Sequence, residues 1–131
     1  MQRKIRGAVA YQAGKAAEDQ VAQLYSQTGR PILARRWRGI SGEIDVIARE
    51  GDAVIFIEVK QSKTHAQAVE HLCERQMQRI CLAASEFLGG EPAGLDTEAR
   101  FDVALVDAMG RINPAERLCR LINCKWAEPA P

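Results

Sequence analysis

A chain of 131 residues is one domain's worth of sequence, long enough to bury a continuous core. With 47% hydrophobic and 27% charged residues it has the composition of an ordinary globular protein, not of a disordered or fibrous one. Its 18 basic and 17 acidic residues leave a net charge of +1, which excludes a dedicated polycationic nucleic-acid coat, so any contact with DNA or RNA has to come from a local patch.

The opening MQRKIRGAVAYQAG is basic and has no sustained apolar core, so it does not read as a signal peptide. No apolar run approaches the length of a membrane span. The expectation is a cytoplasmic protein with no membrane partner. Cys73, Cys81, Cys119 and Cys124 show no C-x-x-C spacing, and only His65 and His71 are at hand to help them. They are read as reduced structural thiols and not as a zinc site.

Residues 8 to 28 predict a helix, because Ala10, Ala13, Ala17, Val21 and Leu24 recur at spacings of three and four and Gly29 follows as a stop. Glu18 lies beside that stripe and by itself is an ordinary helix acid. Residues 31 to 38, PILARRWR, predict a short strand, with Pro31 tolerable at its start. Arg35, Arg36 and Arg38 around Trp37 suit phosphate contacts and base stacking. The bland alternative is an edge strand with Trp37 in the core and solvated arginines.

The stretch from Gly42 to Gln61, GEIDVIAREGDAVIFIEVKQ, predicts a β-hairpin: two apolar runs around a polar break at Arg49-Glu50-Gly51-Asp52. Strand alternation places Glu43, Asp45 and Ile47 on one face with Val54, Phe56, Glu58 and Lys60. Ile44, Val46, Ala48, Ile55, Ile57 and Val59 fall on the other. A Gly51-Asp52 loop of type II′ sets Asp45 across from Glu58; a Glu50-Gly51 loop sets the two on a diagonal. Either register leaves their β-carbons roughly 5–8 Å apart, unless a bulge reverses the facing.

Both faces are largely apolar, so the hairpin belongs inside a covered sheet and the two acids are partly desolvated. Opposed carboxylates repel. A hard divalent cation relieves that repulsion, and oxygen ligands favour Mg²⁺ or a similar ion. Lys60, about 6.5–7 Å further along the strand on the face of Glu58, puts an ammonium beside the site. The competing explanation is a solvated salt-bridge cluster of Asp45, Glu58 and Lys60, which the apolar surroundings disfavour.

Residues 64 to 89 predict a long helix with Val69, Cys73, Gln76, Ile80, Ala83 and Phe87 turned inward and Gly89-Gly90 at its end. Gln76 is the polar member of that stripe and wants a partner, which points it toward the acidic centre. Residues 90 to 99 read as a loop and 100 to 107, RFDVALVD, as a strand in which Asp102 is structural. A further strand is expected around Arg117 to Ile122, with a loose tail over 123 to 131.

A carboxylate on one strand followed by Glu-x-Lys on the next resembles the PD-(D/E)XK, restriction-endonuclease-like nuclease superfamily. The fuller wording, GEIDVIA followed by VIFIEVK, resembles the YraN-like bacterial family within it, over roughly residues 8 to 107. Its N-terminal pattern also matches GKAAEDQVA at Glu18. Two positions depart from the pattern: Arg36 stands where Asn is common, and Gln76 stands where Lys is usual, which removes a candidate positive charge.

The resemblance implies an α/β sandwich with a mixed central sheet flanked by helices, one nuclease-like domain over residues 1 to 131 with its core in about 8 to 122. It implies Asp45 and Glu58 as ligands of Mg²⁺ or Mn²⁺ with the Val59 carbonyl as a third, Lys60 on the attacking water and phosphate, Glu18 on the metal through water, and Gln61 orienting the nucleophile. Gln76 and Glu43 would stand behind these residues, and Arg35, Arg36, Arg38 and Lys63 would contact the nucleic-acid backbone. DNA is the first choice of substrate with RNA left open, and junction-cutting relatives suggest a homodimer. The alternative is a non-catalytic nucleic-acid- or partner-binding module on the same fold, favoured by the near-neutral charge and by Gln76.

Overall fold

The computed structural model describes residues 2–61, 74–107, 109–122 and 125–127. Helix α1 (Gln2–Gln27) precedes three strands, β1 (Ile32–Arg38), β2 (Glu43–Glu50) and β3 (Ala53–Gln61). Helix α2 (Glu74–Leu88) and a 3-10 turn (Gly94–Asp96) lead to β4 (Ala99–Val106), β5 (Ile112–Ile122) and β6 (Lys125–Ala127). The six described strands form one sheet in sequence order. Every neighbouring pair is antiparallel except β3 and β4, which run parallel. A parallel pair needs a crossover, and α2 lies between β3 and β4 in the chain. This is the expected α/β architecture with a mixed sheet.

Each helix covers one face. On one side Ala17, Val21, Ala22 and Tyr25 of α1 pack on Val46, Ala48, Ile55 and Ile57. On the other, Ile80, Ala83, Ala84 and Leu88 of α2 pack on Ile44, Ile47, Phe56 and Phe101. Strands buried on both faces read as continuous apolar runs, which is why β2 and β3 lack a clean polar alternation. The α1 stripe centres on Tyr25 (1% exposed) and leaves Leu24 half-buried. Tyr25 belongs inside because its hydroxyl donates to Asp102 at 2.8 Å, and a buried phenol needs such an acceptor. Asp102, 1% exposed, also accepts from Arg100 Nε at 3.2 Å. It is the structural acid the sequence suggested.

The hairpin register pairs Glu50 with Ala53, so Gly51-Asp52 is the two-residue loop. Gly51 has φ 61°, and Asp52 does not share a positive φ, as a type II′ turn with glycine first requires.

Simple alternation fails at one place in β2. Ile47 and Ile44 both pack against α2, whereas Val46 packs against α1. The assignment of Ile44 to the face of Val46 is therefore corrected. Asp45 sits at the irregularity, between Val46 and Ile44. On the neighbouring strand, Arg36 between the paired residues Arg35 and Trp37 has φ 48°. The β2–β3 ladder ends at Val46–Ile57, one step before Asp45 and Glu58 would pair.

The far edge also differs from expectation. β5 begins at Ile112, earlier than Arg117, and Pro114 falls at a register shift between Val103 and Leu105, where the ladder need not draw an N–H from it. Part of the tail expected to be loose forms β6 on β5. Of α2, the predicted positions Val69 and Cys73 lie outside the described residues, as does Lys63. Among the described residues, no helix is long and apolar enough to cross a membrane.

Candidate active site where β2 and β3 part

Because the ladder stops at Val46, the next backbone donor of β3 has no strand carbonyl to meet. The Asp45 carboxylate takes that place: its Oδ2 accepts from the Val59 N–H at 2.9 Å. The parting of the strands thus directs a half-buried acid toward β3. Glu58, 9% exposed, stands on the α2 side of β3 with Phe56. Its Oε1 accepts from Gln76 Nε2 at 3.0 Å and lies 3.5 Å from Lys60 Nζ. The sequence suggestion that Gln76 turns to the acidic centre is met directly, and the lysine's carboxylate partner is Glu58.

Burial is the main influence on both acids. Desolvation raises Asp45 above its ordinary range; the Val59 N–H draws it back and the Glu18 charge pushes it further up. Glu58 is raised to about 8, first by burial and then by the charge of Asp45, with Lys60 opposing. A buried carboxylate whose ionisation is hindered by a second one beside it marks a candidate functional site. Glu18 reaches the same place from α1. Its Oε2 accepts from Arg36 Nε at 2.7 Å, and its side chain is 13% exposed. A non-glycine residue held at positive φ costs on the order of 1 kcal/mol or more and tends to mark such sites. Here it is Arg36.

The remaining residues are spread around this centre. Gln61 is exposed at the end of β3, close enough to α1 that a Cβ on Gly14 would lie 3.5 Å from its Nε2. Arg35 is ion-paired with Asp19, and Arg38 NH2 lies 3.3 Å from Glu43 Oε2. Trp37 stacks edge-on against Phe87 at 5.5 Å, so it belongs to the α2-side core. The β1 arginines thus flank the site but each already has an acid beside it.

Sequence reasoning missed two residues. Arg79 lines a pocket of about 200 Å³ together with Gly42, Glu43, Glu58, Gln76 and Ile80. Its signal was available, since it lies three residues after Gln76 and so shares that helix face. Glu86, also on α2, accepts from the Ile40 N–H at 2.8 Å, the Ser41 N–H at 3.2 Å and the Ser41 hydroxyl at 3.1 Å. It fastens the β1–β2 turn to the helix. A solvent-facing helical glutamate carries no pattern that would have announced this.

The donor set has a definite character. Among the described residues no group of three or more His, Cys, Asp or Glu is placed to hold a metal. Two carboxylates, Asp45 and Glu58, supply hard oxygen donors only. Such a set suits a cation that keeps much of its water, as Mg²⁺ does, and not zinc.

Residues 17–106 match the family described as Uncharacterised protein family UPF0102. The chain belongs to UPF0102. It is 64% identical over 112 residues to a UPF0102 protein of Cereibacter sphaeroides, covering 86% of this chain and 96% of that one. A UPF0102 protein of Ruegeria pomeroyi is 53% identical over 111 residues, 85% of this chain and 90% of the relative. One from Dinoroseobacter shibae is 44% identical over 109 residues, covering 83% and 81%. The matched UPF0102 segment contains Glu18, Asp45, Glu58, Lys60, Gln76 and Arg79, and so the whole of the site.

Proposed function

We propose that this UPF0102 chain is a metal-dependent hydrolase of nucleic-acid phosphodiester bonds, of the PD-(D/E)XK, restriction-endonuclease-like kind. The observation that carries the proposal is the meeting of two desolvated carboxylates, Asp45 and Glu58, at the parting of two strands, with Lys60 Nζ 3.5 Å from Glu58. Repulsion and burial there disfavour two charges, and a hard divalent ion is what would offset them. Mg²⁺ or Mn²⁺ would be held by Asp45 and Glu58, with the Val59 carbonyl as a further donor; when bound it would polarise the phosphoryl oxygen and lower the pKa of a water.

The chain's own residues have separable tasks. Lys60 supplies a cation that orients the attacking water and balances charge developing on the phosphate. Gln76 holds the Glu58 carboxylate in one orientation. Glu18, kept in place by Arg36, adds negative potential on the α1 side and can accept from a metal-bound water. Gln61 stands at the open end of β3, within reach of an incoming strand. Nucleic acid is the partner, DNA first, and a cytoplasmic homodimer is the assembly that the superfamily resemblance favours.

The deciding experiment incubates the protein with Mg²⁺ or Mn²⁺ and single-stranded, duplex, flap and four-way-junction substrates, beside Lys60→Ala. Metal-dependent cutting that Lys60→Ala lacks is the expected result; no cutting of any substrate by wild type counts against it. One observation favours the non-catalytic alternative: among the described residues no buried side-chain polar atom lacks a hydrogen-bond partner. The site is therefore complete as a structural cluster. Nucleic-acid binding that is indifferent to Ca²⁺ and Mn²⁺ would select that module.

A further inference from the structure

Every arginine whose side chain is described has an acidic partner, with one exception. The pairs run from Arg30 on Glu50 to Arg111 on Asp107. Arg79 is exposed on α2 and makes no ion pair among the described residues. It nevertheless lines the pocket that holds Glu58, Gln76 and Glu43. Arg38 already occupies Glu43, and Lys60 and Gln76 occupy Glu58. Arg79 thus lines a pocket whose two carboxylates, Glu43 and Glu58, are already engaged by other residues.

The pocket is also preformed. Gly42, immediately before β2 and directly after the turn that Glu86 fastens to α2, is part of its lining. Gly42 faces Arg79 at ordinary contact distance: a Cβ there would lie 3.9 Å from Arg79 Cβ and 4.0 Å from its carbonyl oxygen. One helix therefore carries Gln76, Arg79 and Glu86 and sets the pocket wall relative to Glu58. Fixed geometry is what a substrate-positioning group needs.

We propose that Arg79 is a positioning residue that grips a phosphate of the bound strand in the pocket beside Glu58. A guanidinium presents a rigid fork of donors that matches phosphate oxygens in pairs, which a solvated surface charge has no need of. An entering strand would thus be held on the α2 side of the sheet while its reacting phosphate lies at Asp45 and Glu58. The assignment rests on the nucleic-acid reading of the site and adds the side from which the strand enters.

The test measures anisotropy of a short fluorescent single-stranded oligonucleotide, with Ca²⁺ present to prevent turnover, across a range of salt. Arg79→Gln should bind about tenfold more weakly, as loss of a charged hydrogen-bonding partner does. Its plot of log affinity against log salt should be shallower by about 0.7, the value of one single-strand phosphate. Arg79→Lys should keep the slope and recover only part of the affinity, because it retains the charge but not the fork. A scan of single methylphosphonates should find one position that weakens wild type and leaves Arg79→Gln unchanged. Thermal melts of both variants should match wild type, since the side chain is exposed. Arg79→Gln with wild-type affinity and slope overturns the assignment and leaves the hydrolase proposal standing. Wild type that binds no nucleic acid at all overturns both.

Discussion

Asp45→Asn separates a metal site from a structural ion-pair cluster without any substrate. The substitution keeps the shape and the acceptor that the Val59 N–H uses, and removes one charge. In the metal-free protein that charge opposes Glu58. Lys60, 3.5 Å from Glu58, offers a gross attraction of roughly 5 kcal/mol at an effective dielectric of 20. Glu58 still rises from 4.5 to about 8, so burial and Asp45 together outweigh the lysine. At about 1.4 kcal/mol per pKa unit, the charged form of Glu58 is penalised by roughly 5 kcal/mol at most. Burial is the larger cause and Asp45 the next. Relief of the Asp45 share should stabilise the apo fold by about 1 kcal/mol, a rise in Tm of about 3–5 °C for a domain of this size. The melts belong in chelator at a pH above 8, where Glu58 is charged; near pH 6 the gain should shrink, because a proton already separates the pair. Mg²⁺ or Mn²⁺ at a hundred times its Kd should then stabilise wild type by about 3 kcal/mol and leave Asp45→Asn nearly unmoved. An apo Asp45→Asn that melts clearly below wild type, with no metal shift in either protein, would refute the metal-site reasoning.

Four further outcomes follow from the same geometry. Lys60→Met should hold metal affinity within a few-fold while abolishing turnover, read by calorimetry and by cleavage; wild-type cutting would remove Lys60 from the mechanism. Glu58 binds a proton more tightly folded than unfolded, so between its unfolded value of 4.5 and about 8 the native state holds more protons. Metal-free stability should therefore fall as pH rises across that window and level off above it, by up to several kcal/mol, and denaturant midpoints that rise with pH there would contradict the desolvated pair. Tyr25→Phe takes a hydrogen bond from buried Asp102 and should cost about 1–2 kcal/mol in urea unfolding with the metal response unchanged. Arg36→Ala and Arg38→Ala should each lower the salt slope of nucleic-acid binding by about 0.7–0.9 if they reach phosphates; unchanged slopes would confine both to their pairs with Glu18 and Glu43.

Much of the sheet was legible because its causes are local. Gly51 marks the tight turn and narrows the register of β2 on β3 to two choices, between which the Glu50–Ala53 pair decides, and the spacing of apolar residues in α1 and α2 selects the faces they bury. The continuous Val, Ile and Phe of the hairpin announces a strand pair covered on both sides. Glu58 and Lys60 share a strand face by alternation alone, whereas Asp45 lies one step beyond the last β2–β3 pair; Gln76 follows from being the polar member of a buried stripe.

What lies between distant segments was not legible. The break in alternation at Asp45 arises where β2 leaves β3 and where Arg36 takes a positive φ on the next strand, a cooperative distortion with no marker in GEIDVIA itself. Only the packed fold brings Glu18 to Arg36 across 18 residues of chain, and Glu86 to the Ile40 and Ser41 amides across more than 40. Leu24 and Tyr25 are neighbours on one helical stripe, and periodicity cannot choose between them; the buried Asp102 acceptor on β4 decides for Tyr25. Arg79 shows the same division. Its place on the face of Gln76 is written in the helix repeat, but its lack of an ion pair among the described residues depends on where the other described charges have gone.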